Sequence, residues 1–255
     1  MIIAELSFIS KNRPSEESDD AIWGILAALC KNGQIFREYV VAKRKNSYVG
    51  FVELPEKTAL KKSNNNKWVN KSYSDLNKSG LEIPIIKIIS EVEFNGKPCR
   101  CKSPRSYILY THYLDNQTPL MCGDCWSLVP LYRILPTYDE SEFYDLLQWQ
   151  KDYIACDKLQ MQCQTGERFG LREMTKVNSS LSKRALELCR KIEKSTGKPV
   201  FYYLCHTSAR SKTANLKRKC PSCNGEWLLP KQLHKIFDFR CENCRLLSNI
   251  AWNVR

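Results

Sequence analysis

Hydrophobic and polar positions recur in distinct rhythms along the chain, and changes of rhythm mark its elements. The opening "IIAELSFI" is a short apolar run of strand character. "SDDAIWGILAALCKNG" sets Ile22, Ile25, Leu26 and Leu29 at helical spacing, offers Asp19 and Asp20 as caps, and ends on Gly33. Two strands follow, "REYVVAKR" and "SYVGFVEL", around the turn-prone "KNS". The Lys- and Asn-rich stretch from Lys57 to Gly80 fits a weak helix or a loop equally well. "IPIIKIISEVEF" is rich in β-branched residues and reads as a buried strand. The order β-α-β-β-(α)-β predicts an α+β, ferredoxin-like sandwich over residues 1–95.

A second region, residues 96–205, opens with the turn-rich "PCRCKSPRSYILYTHYLDNQTPLMCGDCWSLVPLYRIL", in which "SYILYTHYL" is a strand candidate. Two helices are predicted after it. "YDESEFYDLLQWQKDYIAC" has Asp139 and Glu142 at capping-box spacing, with Phe143, Leu146, Leu147 and Ile154 on one side. "SSLSKRALELCRKIEKSTG" repeats Leu181, Ala185, Leu188 and Ile192, with Ser180 to cap its start and Gly197 to end it. "KPVFYYLCH" is a strand, and a basic linker then leads into a third region, residues 206–255.

That last region carries two Cys-x-x-Cys pairs, Cys220/Cys223 and Cys241/Cys244. Each such turn supplies one edge of a tetrahedron of sulfur, as zinc requires. Asn224 and Gly225 tolerate positive φ and can close the first turn. The connecting segment predicts a hairpin: "EWLL" outward, "PKQLHK" turning, "IFDF" returning. This is the pattern of a zinc ribbon. Iron suits the same four sulfurs, but nothing else in the chain points to electron transfer. Four protein ligands fill the coordination sphere, so the ion is expected to hold structure and not to do chemistry.

Cys99, Cys101, Cys122 and Cys125 are a candidate second site. Cysteines two apart on an extended segment face the same way, and the intervening strand could bring the two pairs together. A redox pair at Cys122/Cys125 is the rival reading; it needs a helix starting at the motif, and "CGDCWSLVPLYR" runs soon into a proline. A metal could also draw on Cys156, Cys163, Cys205 or His206. Cys30 and Cys189 follow the apolar stripes of their helices and read as core.

Thirteen cysteines in 255 residues, behind a start that lacks the positive region of a secretion signal, predict a cytoplasmic protein with reduced thiols. No apolar run is long enough to span a membrane. The formal charge is +13, which permits contact with nucleic acid or with an acidic protein.

The segments "CGDCWSLVPLYRI", "CPSCNGEWLL" and "IFDFRCENCRLLSNIAW" resemble a bacterial family of unknown function. That family is described as containing a zinc ribbon and, by inference from the ribbon, as binding nucleic acid. The resemblance implies zinc at Cys220, Cys223, Cys241 and Cys244, and importance for Cys122 and Cys125.

From His206 onward there are ten Lys or Arg against three Asp or Glu. Arg218, Lys219, Lys231, Lys235, Arg240 and Arg245 are candidate phosphate contacts, and Trp227 and His234 candidate stacking platforms for a base. The expectation is therefore a non-catalytic zinc protein acting through macromolecular contact, its partner either nucleic acid, met through the basic ribbon, or an acidic protein. The alternative is an immunity or antitoxin protein that blocks a toxin enzyme. No small-molecule site or nucleophile motif stands out; the three histidines are scattered, and Asp124 reads as a turn residue.

Overall fold

Every second residue of β1 (Ile2–Ile9) is buried: Ile2, Ala4, Leu6 and Phe8. That is the signature of a strand covered on one face. The computed structural model describes residues 1–11, 15–36, 39–91, 96–139 and 141–255. These form two compact units: residues 1–100, 116–118 and 127–144 in one, and 101–115, 119–126 and 145–255 in the other.

In the first unit β1 is followed by α1 (Glu16–Lys31), β2 (Val40–Lys43), β3 (Ser47–Leu54), α2 (Lys67–Lys78) and β4 (Ile85–Glu91). The antiparallel sheet has the order β2-β3-β1-β4. Ile22, Ile25, Leu26 and Leu29 of α1 and Val69 and Leu76 of α2 share one core with the buried face of β1. This is the β-α-β-β-α-β order read from the sequence.

The ambiguous Lys/Asn-rich stretch does contain a helix. Asn66 caps it, its side chain accepting from the Val69 N–H at 2.8 Å, and Val69 and Leu76, seven residues apart, anchor it. Helix α1 starts earlier than expected: Ser15 is its cap, and Asp19 instead binds Lys43 and Tyr48. Strand β4 is not buried. It borders β1 alone, at the edge of the sheet, and all seven of its residues are exposed. Arg37 and Glu38 of the β2 candidate, and Val92, Glu93 and Phe94 of the β4 candidate, lie outside the described residues.

The capping box expected at Asp139 and Glu142 is not formed. Asp139 has φ 45°, and Tyr138 and Glu142 bridge each other through their backbones, so the chain turns first and α3 (Tyr144–Gln162) begins after it.

The second unit is built on a six-stranded sheet of order β6-β5-β7-β10-β9-β8. Its members are β5 (Tyr107–Leu109), β6 (Leu120–Cys122), β7 (Val200–Tyr203), β8 (Leu228–Leu233), β9 (Phe237–Cys241) and β10 (Leu246–Ser248). Between β6 and β7 run α3, α4 (Glu167–Thr175) and α5 (Ser180–Thr196), and α6 (Lys212–Leu216) precedes β8. Strand β7 pairs in parallel with β5 on one side and β10 on the other. All four of its residues are buried, as expected of a strand covered on both faces.

Helix α5 carries the predicted stripe, with Leu181, Ala185, Leu188, Cys189 and Ile192 buried and Gly197 reversed at φ 65° after its last turn. Its cap is Ser179, one residue before the expected Ser180: the hydroxyl accepts from Ser182 N–H at 3.1 Å. The terminal hairpin also turns later than read. Pro230, Lys231 and Gln232 lie inside β8, and the turn falls on His234 and Lys235, both with positive φ as a type I′ turn requires. Proline is tolerated in β8 because that strand is an edge.

Candidate metal centres

Two groups of four cysteines converge in the structure. Cys220, Cys223, Cys241 and Cys244 bring their sulfurs within 4.8 Å of one another, and so do Cys99, Cys101, Cys122 and Cys125. Cys223 Sγ and Cys241 Sγ are 3.6 Å apart. A tetrahedral ion with bonds of about 2.3 Å to sulfur would set its ligands about 3.8 Å apart. Both groups therefore could hold a metal ion. In each Cys-x-x-Cys pair the first cysteine is buried and the second more exposed.

Local backbone geometry explains how the sulfurs are aimed. The residue after the second cysteine adopts a left-handed conformation in all three Cys-x-x-Cys turns: Trp126 at φ 57°, Asn224 at φ 57° and Arg245 at φ 54°. Asn224 N–H donates to Cys220 O at 2.9 Å, and Trp126 N–H donates to Cys122 O at 3.0 Å. The Cys122–Cys125 turn thus has the backbone of the ribbon's own first turn. The next α-helix after Cys125 begins only at Tyr144, so the helix that a thioredoxin-type turn opens does not start at this motif.

The ribbon sulfurs carry opposing influences. The Gly225 N–H, with help from the three neighbouring sulfurs, draws the Cys223 thiol down to about 7. Burial pushes Cys241 up to about 12 and raises Cys244 as well. Four such groups in one place ionise together only beside a cation.

Around Cys122–Cys125 the packing is tight. Gly123 N–H donates to Ser106 O at 2.8 Å. A Cβ at Gly123 would lie 2.1 Å from Ser106 Oγ and 2.9 Å from Ser106 O, so only glycine fits. Asp124 accepts from the Arg105 N–H at 2.9 Å and from Arg105 Nε at 3.0 Å, and this pairing holds its carboxyl below the ordinary range.

The eight candidate contact residues fall into two groups. Trp227 is buried, packs 5.1 Å from Phe239 and donates from Nε1 to Arg218 O at 2.8 Å. The Arg218 guanidinium lies 4.6 Å from both the Trp227 and Phe239 rings and binds Ser248 Oγ at 2.9 Å. Burial lowers it to about 10. Arg245 makes a bidentate pair with Glu193 at 2.9 and 3.0 Å, and Arg240 lies 4.3 Å over Phe201 and pairs with Glu242 at 2.6 Å. Lys219 pairs with Glu226. The expectations for Trp227 as a base platform and for Arg218 as a phosphate contact need correction: both are built into the packing of the ribbon. Lys231 and Lys235 are exposed.

His234 is also engaged. Its Nε2 lies 2.8 Å from Gly123 O, and its ring stacks on Trp126 at 5.2 Å and 23°. Trp126 in turn meets Tyr110 at 5.1 Å and Phe237 at 5.3 Å. Sequence reasoning passed over Trp126 and Tyr110. The one available signal was the position of Trp126 directly after a Cys-x-x-Cys pair, where the ribbon has Asn224.

The fold and these two sulfur sets define an α+β protein with two candidate four-cysteine metal centres. Family models match it in three stretches, each a domain of unknown function: DUF8589 over residues 1–90, DUF2310 over 101–205 and DUF8594 over 209–254. An uncharacterized protein of Haemophilus influenzae Rd is 34% identical over 199 residues, covering 78% of this chain and 76% of its own length. A second uncharacterized protein of that strain is 33% identical over 186 residues, covering 73% and 89%. The chain belongs to the bacterial family of unknown function that these proteins represent. Among solved structures it is similar to SnoaB, a cofactor-independent oxygenase from Streptomyces nogalater (14% identity, 36% of this chain and 93% of that one, TM-score 0.30). It is also similar to a putative antibiotic biosynthesis monooxygenase from Deinococcus radiodurans (11% identity, 36% and 94%, TM-score 0.28).

Proposed function

We propose that the chain is a non-catalytic zinc protein with two structural four-cysteine centres, and that it acts by binding the phosphate backbone of nucleic acid. The observation that carries the zinc reading is the convergence of two sets of four sulfurs, both built on the same reversed turn. Thiolate sets of this kind suit zinc, and four protein ligands leave no position for water or substrate. The contact reading rests on charge. Lys231, Lys235 and Arg255 are exposed on the ribbon side, and Lys102 and Arg105 are exposed beside the Cys122–Cys125 turn. His234, next to Lys235, meets the carbonyl of Gly123, and Arg105 pairs with Asp124, the residue after Gly123.

Metal analysis by mass spectrometry should find two zinc ions per purified chain. Fluorescence anisotropy with a single-stranded oligonucleotide should then show affinity falling steeply between about 50 and 200 mM salt. Replacing Lys231 and Lys235 by Glu should weaken binding of every sequence alike and flatten the salt slope by roughly one to two units. Salt-insensitive or unchanged binding would refute the nucleic-acid reading. A salt-insensitive nanomolar complex with one protein would replace it by the immunity reading.

A further inference from the structure

Strands β6 and β8 are the two opposite edges of the six-stranded sheet. Even so, the tip of the β8–β9 hairpin touches the turn that follows β6. His234 Nε2 meets the Gly123 carbonyl at 2.8 Å, and the imidazole stacks on Trp126. Phe237, just past the tip, packs against Trp126 and Tyr110 at 5.3 and 6.1 Å. The hairpin tip is therefore held against that turn, and His234 supplies a hydrogen bond and a ring stack to the contact.

Both ends of this contact belong to metal-holding segments. Gly123 lies between Cys122 and Cys125, and Trp126 is the reversed residue that completes their turn. His234 lies on the loop between Cys223 and Cys241, at the crest of the hairpin those two cysteines close. Moving the Cys122–Cys125 turn takes away the acceptor and the stacking partner of the hairpin tip. Moving the hairpin frees the turn.

Resting on the two-zinc reading above, we propose that His234 is a positioning residue that couples the two metal centres, so that each slows loss of the ion from the other. A ring stack and a hydrogen bond of this kind, present only when both segments are ordered, would couple them by about tenfold in the rate of metal release. In affinity the coupling is reciprocal, because it is one binding free energy seen from two sites; in release rates each centre is read separately.

The test uses the full chain loaded with cadmium-113, in which each four-sulfur centre gives its own resonance, and follows release to a chelator. Cys125→Ser, which cripples one centre, should speed release from the ribbon about tenfold. In a His234→Ala background the same substitution should leave the ribbon rate almost unchanged. His234→Gln, which keeps a donor for Gly123 O but loses the ring, should retain part of the coupling and guards against a merely unfolded variant. Two resonances whose release rates ignore each other, or a Cys125→Ser effect that persists without His234, would overturn the coupling alone. A single bound ion per chain would overturn both the coupling and the two-centre reading.

Discussion

At the scale of single residues, His206 shows how burial converts into pH dependence. Burial, then the charges of Arg218 and Lys176, pull its imidazole from 6.5 down to about 4. Its Nε2 is buried without a hydrogen-bond partner among the described residues. The folded chain thus holds His206 neutral where the unfolded chain would protonate it. A group that binds more protons unfolded than folded favours folding as pH rises. The contribution of His206 is complete above about 6.5 and is lost as pH falls towards 4. Urea denaturation at pH 5 and pH 7 should therefore show wild type losing more stability than His206→Asn between those values. Both proteins keep the same cysteines, so the difference isolates the histidine; equal losses would refute it. Residue chemistry was also where sequence misled. Arg218 and Trp227 carry the side chains of a nucleic-acid surface, yet the structure stacks one on the other and uses both to fill the ribbon. Charge and aromaticity name what a side chain can do; its neighbours decide what it does.

At the scale of elements, periodicity located the helices of strong amphipathic pattern and the strands β1 and β3 nearly to the residue. Their ends were less legible, because a cap depends on which of several Ser or Asp residues the backbone leaves extended. Helix α5 offers a direct check. Ser179 accepts from Ser182 N–H and donates to Glu173 O at 2.6 Å, whereas Ser180 is already helical. Ser179→Ala should cost about 1–2 kcal/mol in urea denaturation, and Ser180→Ala less than about 0.5 kcal/mol. The reverse order would show that the cap lies one residue on. Other features were hidden for a different reason. Strand β4 reads as core by composition and becomes an exposed edge only through its position in the sheet. The Cys-x-x-Cys turns were plain from spacing, but the reversed conformation of Trp126 could not be, since tryptophan seldom adopts it.

At the scale of the whole chain, nothing in the sequence showed that the terminal hairpin joins a larger sheet. Leu246 and Leu247 pair with Tyr202 and Tyr203, a parallel match between segments more than forty residues apart that no local pattern encodes. The buried side chain of Asn249 binds Tyr203 Oη, the N–H of His206 and the carbonyl of His206, and Asn253 exchanges two hydrogen bonds with the backbone of Ala209. Continuity of the peptide between β7 and α6 is thus not what keeps the last fifty residues in place. Trypsin acting at the exposed Arg210 or Lys212 should give two pieces on a denaturing gel that still elute as one particle under native conditions. Release of the smaller piece would disprove it. A zinc ribbon is readily pictured as a bead on a string; here the string could be cut and the bead would stay.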